Sequence, residues 1–308
     1  MIKPRVLVVG SSNTDMIIKM DRIPRPGETI LGGEFITAAG GKGANQAVAA
    51  ARAGGGVTFI ARVGKDMFGE QARAGFISEG INTEHVIRDP ASPTGVALIF
   101  VGKDGENSIA VASGANGNLS SSDVRKARGA FAGASVLIMQ LETPLEPLET
   151  AAELAVQAGM QIILNPAPAR PLPDSLLKNI SILTPNETEA ELLTGIKVTD
   201  TATAEKAADK LIARGVRTVI ITLGSRGAFV ATADSRRLIA GFKVDAIDTT
   251  AAGDTFNGAL AVALAEGQSL DHAVRFANAA AAISVTRIGA QPSAPSREEI
   301  EKFLRPSS

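Results

Sequence analysis

Arg5-Val6-Leu7-Val8-Val9-Gly10-Ser11-Ser12-Asn13-Thr14-Asp15 is an apolar run closed by glycine and followed at once by polar residues. A run that is apolar at successive positions leaves no face for water, the pattern of a strand buried on both sides in a parallel sheet. Polar groups just beyond the carboxyl end of such a strand lie where α/β sheets bind their ligands. Asn13 and Asp15 carry groups that hydrogen-bond a polyol, although ordinary Asx-turn chemistry accounts for them equally. Similar runs at 57–61, 136–140, 161–164, 180–183 and 218–223 read as further strands, with helical stretches between several of them. The alternation predicts an α/β fold, a three-layer, doubly wound, mainly parallel sheet with helices on both faces.

Two segments break the alternation. Residues 16–35 hold apolar stretches interrupted by Pro24, Pro26 and Gly27, and 95–101 and 108–112 flank the turn Lys103-Asp104-Gly105-Glu106-Asn107. Both read as paired strands of a second, small sheet, a lid inserted at about 14–36 and 95–112 of a single domain spanning 1–308. Between them, Ala39-Gly40-Gly41-Lys42-Gly43-Ala44-Asn45-Gln46 runs into an alanine-rich helix. Its glycines suit either close approach of backbone to a ligand or a flexible turn, and the motif lacks the spacing of a Walker A loop.

A second small-residue turn, Asp248-Thr249-Thr250-Ala251-Ala252-Gly253-Asp254-Thr255-Phe256, enters a helix whose apolar residues Phe256, Ala259, Leu260, Ala263 and Leu264 fall at helical spacing. Ala252, Gly253 and Asp254 therefore sit at a helix N-terminus, where unpartnered N–H groups and the positive dipole end suit a phosphate. A carboxylate there accepts a hydroxyl proton while the amides hold the phosphoryl group under attack; the competing role is an N-cap. Asn186 and Glu189 fit a capping box or contacts to Mg²⁺ through water. The 222–227 turn fits a hairpin or a close pass by a nucleotide. A long helix is expected over 270–287 and a final amphipathic helix near 297–304.

Composition narrows the chemistry. Lys plus Arg number 31 against 32 Asp plus Glu, and Trp and Tyr are absent, which argues against nucleic acid as a partner. No run approaches a membrane span, and the first ten residues read as a strand with no long apolar leader, so a soluble cytoplasmic protein is expected. With no Cys and only His85 and His272, thiolate chemistry is excluded and a carboxylate or Lys is the natural proton acceptor.

Taken together, 40–46 and 248–256 resemble the two signatures of the ribokinase-like (PfkB) carbohydrate kinase family. Asn186-Glu187-Thr188-Glu189, Thr222-Leu223-Gly224-Ser225-Arg226-Gly227 and Gly289-Ala290-Gln291-Pro292-Ser293 extend the resemblance in the family's order along nearly the whole chain. It implies ATP-dependent phosphorylation of D-ribose at O5; 2-deoxyribose and fructose are the other candidate sugars, and a non-catalytic sugar-binding regulator is the alternative of another class. Asp254 would be the base, with Ala252, Gly253 and Asp254 forming the anion hole. Asn13, Asp15, Gly41, Lys42, Asn45, Glu142 and Asp254 would contact the sugar. Asn186, Thr222, Gly224, Ser225, Gly227, Gly253 and Asn278 would contact ATP, and Glu189 would help organise Mg²⁺. A K⁺ site is implied at Asp248, Thr250, Ser284, Arg287, Gly289 and Ser293, mostly through backbone oxygens, and a homodimer through the lid sheet. The wider family usually has Gly where Ala251 stands, and Asn278 replaces a His of a similar enzyme.

Overall fold

The computed structural model describes residues 3–104 and 106–305 of the 308. Gly105 of the expected lid turn, and Met1 and Ile2 before the first strand, lie outside the described residues. In chain order the elements are β1 (Arg5–Val9), β2 (Asn13–Met20), β3 (Glu34–Gly40), α1 (Lys42–Arg52), β4 (Gly56–Gly64), α2 (Met67–Ser78), β5 (Val86–Asp89), β6 (Gly95–Gly102) and β7 (Asn107–Ala112). There follow α3 (Ser121–Lys126), β8 (Val136–Met139), α4 (Leu145–Gln157), β9 (Gln161–Leu164), α5 (Asp174–Leu177), β10 (Ile182–Leu183), α6 (Glu187–Thr194) and α7 (Thr201–Ala213). The last are β11 (Thr218–Thr222), β12 (Gly227–Ala231), β13 (Arg236–Ala240), α8 (Ala252–Ala265), α9 (Leu270–Ser284) and α10 (Arg297–Leu304).

Among the described residues, nine strands form one sheet in the order β13-β12-β11-β10-β9-β8-β1-β4-β5, and four form a second, β3-β2-β6-β7. The large sheet is parallel from β5 to β11, and β12 runs antiparallel to both of its neighbours. Strand residues alternate between two cores. Val6, Val8, Val136 and Ile138 pack with α1, α8 and α9, whereas Leu7, Val9, Leu137 and Met139 pack with α4, α6 and α7. Period-two alternation in strands apolar on both faces thus produces the three layers.

Several boundaries differ from expectation. The second lid strand runs from Glu34 to Gly40, beyond 36, and 21–33 is irregular around its prolines and glycines. Small Ala38, Ala39 and Gly40 pair with Asp15, Thr14 and Asn13, so the lid strand feeds directly into the glycine loop. The strand expected at 180–183 shrinks to Ile182–Leu183, because Ile180 N–H closes the turn after α5 on the Leu177 carbonyl. Helix α9 stops at Ser284, with the Thr286 hydroxyl donating back to the Ile283 carbonyl. Strands β5 and β13 lie at the two edges and were not expected.

The packing of α1 on α8 sets the site. A Cβ on Gly258 would lie 2.7 Å from Ala49 Cβ and Ala50 N and 2.8 Å from the Gln46 carbonyl oxygen. Only glycine lets the two backbones come this close, and the approach lays Asn45 and Gln46 beside Asp254, one turn before Gly258. Gly258→Ala is expected to lower unfolding free energy by about 1–3 kcal/mol through overpacking. The check is the urea midpoint at unchanged slope; an unshifted midpoint would mean that the helices slide apart without cost.

Candidate active site

Helix α8 starts from an uncommon backbone. Ala251 holds φ 57°, the left-handed region, and among the described residues it is the one non-glycine with positive φ. That conformation costs an L-residue roughly 1–2 kcal/mol, which gives a physical reason for glycine at this place in the wider family. No side chain caps the helix. Asp254 is therefore not an N-cap; it is the third helical residue, and its carboxylate is buried and turned to α1. Asn45 Nδ2 donates to Oδ2 at 3.0 Å and Gln46 Nε2 to Oδ1 at 2.9 Å. Ala252 N–H makes a long bond of 3.3 Å to the Thr249 carbonyl, while those of Gly253 and Asp254 have no backbone acceptor among the described residues. A Cβ on Gly253 would meet nothing within 4 Å, so this turn faces open space.

The glycine loop and the lid close the other side. Gly41, at φ 87°, precedes α1, and a side chain on it would strike Asn13 N at 2.6 Å. The Asp15 carboxylate lies directly over Gly40, where a Cβ would come within 2.3 Å of both oxygens. Glu142 accepts from Lys42 N–H at 2.9 Å and from the Ser11 hydroxyl at 2.5 Å, tying the loop to the end of β8. Asn13 Oδ1 accepts from Asn116 Nδ2 at 2.7 Å. Asn45 Oδ1 is buried without a partner among the described residues, a free acceptor for a hydroxyl.

Charges in the cleft are mutually perturbed. Burial, then the negative charges of Glu142 and Asp254, raise the Asp15 pKa to about 6 against the pull of Lys42. Burial pushes the Asp254 pKa up as well, opposed by Lys42 and by the Gln46 and Asn45 amides. Burial works against a charged Lys42, but Asp254, Glu142, Glu189 and Asp15 outweigh it and hold its pKa above the ordinary lysine value. The predicted sugar and base residues thus converge on one charged cleft.

The remaining predicted residues form two adjoining groups. Asn186 and Glu189 make a complete capping box on α6, and Asn186 also bridges to Thr222 at the end of β11. Burial raises the Glu189 pKa, with the Asn186 N–H and Lys42 opposing. Gly224 and Gly227 take positive φ in the turn after β11, and that turn packs on Gly241. Asn278 Nδ2 is committed to the carbonyls of Ile239 and Ala240 at 3.2 and 3.3 Å. In the third group Asp248 accepts from the N–H groups of Thr250 (2.9 Å) and Gly289 (2.8 Å). Ser284 and Ser293 hydroxyls donate to the Ala281 and Ala290 carbonyls. The Arg287 side chain turns away to Glu299, leaving only its backbone in the group.

Sequence reasoning missed Gln46, Ser11, Asn116, Gln140, Thr184 and Asn257. Gln140 and Thr184 each directly follow an apolar strand, at the carboxyl end of the sheet where α/β folds bind their ligands.

The family model described as pfkB family carbohydrate kinase matches residues 3–297. A ribokinase of Haemophilus influenzae is 50% identical over 303 residues, 98% of this chain and 99% of that protein. A deoxyribokinase of Salmonella typhi is 38% identical over 300 residues, covering 97% and 98%. The structure of Arabidopsis thaliana ribokinase complexed with ribose and ATP has a TM-score of 0.92 at 35% identity, covering 99% of this chain and 100% of that one. The chain belongs to the pfkB family of carbohydrate kinases. It is an enzyme.

Asp15 gives a structural test of the cleft. Its folded-state pKa of about 6 exceeds the ordinary 3.8, so its ionisation opposes folding. The contribution favours the folded state at acid pH and is lost as pH rises through about 6. Asp15→Asn is expected to stabilise the protein at pH 8 by up to ~2–3 kcal/mol, with a smaller gain at pH 5. Urea midpoints at the two pH values check this; equal gains would place Asp15 in an ordinary solvated setting.

Proposed function

We propose that this enzyme transfers the γ-phosphoryl group of ATP to O5 of D-ribose. The observation that carries the reading is the buried Asp254 carboxylate, hydrogen-bonded by Asn45 and Gln46 at a helix N-terminus whose next residue, Gly253, faces open space. The likeness to ribokinases at up to 50% identity over nearly the full chain supports ribose as the acceptor. O5 attacks phosphorus in line; the O5–Pγ bond forms, the bond from Pγ to the bridging oxygen breaks, and ADP leaves with its electron pair. The O5 proton passes to Asp254. Gly253 and Asp254 N–H groups stabilise the charge developing on the phosphoryl oxygens. Lys42 balances the carboxylates, and Asp15, Asn13, Asn45 and Glu142 orient the sugar. Asn186, the 222–227 turn and the Asn278 neighbourhood line the nucleotide side, and the 308 residues act as one kinase domain.

Among the described residues no cluster of three or more His, Cys, Asp or Glu is placed to hold a metal directly. Mg²⁺ arriving with ATP would supply charge neutralisation, and Glu189 is the residue that would accept from its waters. The Asp248 group offers one carboxylate and neutral oxygens around 248–250 and 284–293. Hydrogen bonds from Thr250 and Gly289 overcome the effect of burial and hold the Asp248 pKa below the usual range, so the carboxylate stays ionised. This donor set suits K⁺, which would order the loop preceding α8. Among the described residues no helix is long and apolar enough to cross a membrane.

The lid supports a homodimer. Register places Ile36, Ile17, Ile99 and Ile109 across all four strands on the face that carries Asp15. Ile109 and Val111 on that face are more than half exposed, an apolar stripe suited to a second copy. Sedimentation at micromolar concentration should give a dimer, and monomer alone would remove this part of the proposal.

ADP release with MgATP should be fastest on D-ribose among D-ribose, 2-deoxyribose and fructose, and faster in potassium than in sodium. The 38% identical deoxyribokinase makes 2-deoxyribose the second sugar to compare. Asp254→Asn should lower turnover at least ~10²-fold. Gly253→Ala should leave stability unchanged or raised by about 0.5–1 kcal/mol while abolishing turnover, because its methyl occupies the phosphoryl space. Near-normal turnover of Asp254→Asn would overturn the assignment of the base.

A further inference from the structure

We infer that Gln46 is a positioning residue, the amide that fixes the Asp254 carboxylate in its reactive orientation and couples it to the α8 N-terminus. The inference rests on the reading of Asp254 as the base. Gln46 is fully buried, and each polar atom of its side chain has a defined partner. Its Oε1 accepts from Gln140 Nε2 at 2.6 Å. Its Nε2 donates to Asp254 Oδ1 at 2.9 Å and to Asn165 Oδ1 at 3.1 Å. Rotating the amide by half a turn would set its oxygen against two acceptors, so the orientation is determined.

The bonds continue in a ring. Asn165 Nδ2 donates to the Thr184 carbonyl at 3.1 Å, and Thr184 Oγ1 donates to Asn257 Oδ1 at 2.7 Å. Asn257 Nδ2 donates to the Gly253 carbonyl at 2.8 Å. One buried chain of amides and a hydroxyl thus leads from the carboxylate that takes the proton to the Gly253–Asp254 peptide, whose N–H faces the phosphoryl group. Asn45, by contrast, holds Oδ2 and keeps a free Oδ1 toward the sugar. The two neighbours on α1 therefore divide the work. Asn45 serves carboxylate and sugar, whereas Gln46 serves the carboxylate and the buried amides behind it.

That division predicts separable kinetics. A group that touches the base and no part of the sugar alters kcat and leaves the sugar KM nearly unchanged. Removing its N–H donation also weakens stabilisation of the ionised form. The other charges facing Asp254 are Lys42 on α1, Asp15 on β2, Glu142 after β8 and Glu189 on α6; a Gln46 variant leaves all of them in place.

The experiment measures kcat against pH at saturating sugar and MgATP for wild type, Gln46→Met, Gln46→Glu and Asp254→Asn. Gln46→Met should lose ~10–10²-fold in kcat with KM for the sugar within ~3-fold. Gln46→Glu keeps shape and volume but sets a second carboxyl against the first, and it should move the acid limb of kcat up by about one pH unit or more. If Gln46→Met fails to fold, the near-isosteric Gln46→Glu carries the test, with sugar binding by calorimetry as its control. Wild-type kcat and pH profile in folded Gln46 variants, with Asp254→Asn inactive, would overturn the positioning role alone. An active Asp254→Asn would instead overturn the reading on which it rests.

Discussion

A carboxylate buried at the first turn of a helix has both oxygens to satisfy, and the surrounding structure follows from how Asp254 does so. Desolvation of an unpaired carboxylate is far too costly to persist. The donors come from consecutive residues of α1, and they reach because Gly258 lets α1 and α8 touch backbone to backbone. Small residues on both helices, Ala44, Ala47 and Ala50 of α1 and Ala259 of α8, lie in one core and keep that approach close. The carboxylate, its donors and the free amides of α8 are thus one packed unit.

The lid is bound into the same electrostatic problem. β2 and β3 deliver Asp15 over Gly40, and the Asp15 carboxyl is raised in pKa by the charges already in the cleft. Its ionisation is unfavourable until donors arrive from elsewhere. Sugar hydroxyls are such donors, so under the proposed function the cleft holds back stability that ligand binding would release. The lid therefore does more than cover the cleft, because the residue it contributes is incomplete without a guest.

Much of this was legible in the sequence, for physical reasons that also mark where legibility ends. β1, β4, β8, β9 and β11 are buried on both faces and announce themselves as apolar runs. Edge strands β5 and β13 carry Arg88, Asp89, Arg236 and Arg237 and lack such a run, so they went unread. The turn before α8 declared itself through local chemistry, and Asp254 with it. Gln46 did not, because its partners lie 94, 119 and 208 positions away and no local pattern encodes them. The strained Ala251 was visible only as a departure from glycine; the reason for the glycine is a dihedral angle.

The bond between Asn45 and Asp254 spans 209 positions, and this orders events during synthesis. Domains made from the N-terminus onward acquire their contacts as the chain leaves the ribosome, at about 5–20 residues per second. β1, the lid and the glycine loop emerge first, with every proposed sugar contact before Glu142 already made. Asp254, the proposed proton acceptor, and the open amides of α8 follow more than a hundred residues later. Because α1 packs on α8 and Asp254 holds Asn45 and Gln46, a nascent chain completes the cleft only once the last quarter of the polypeptide has emerged.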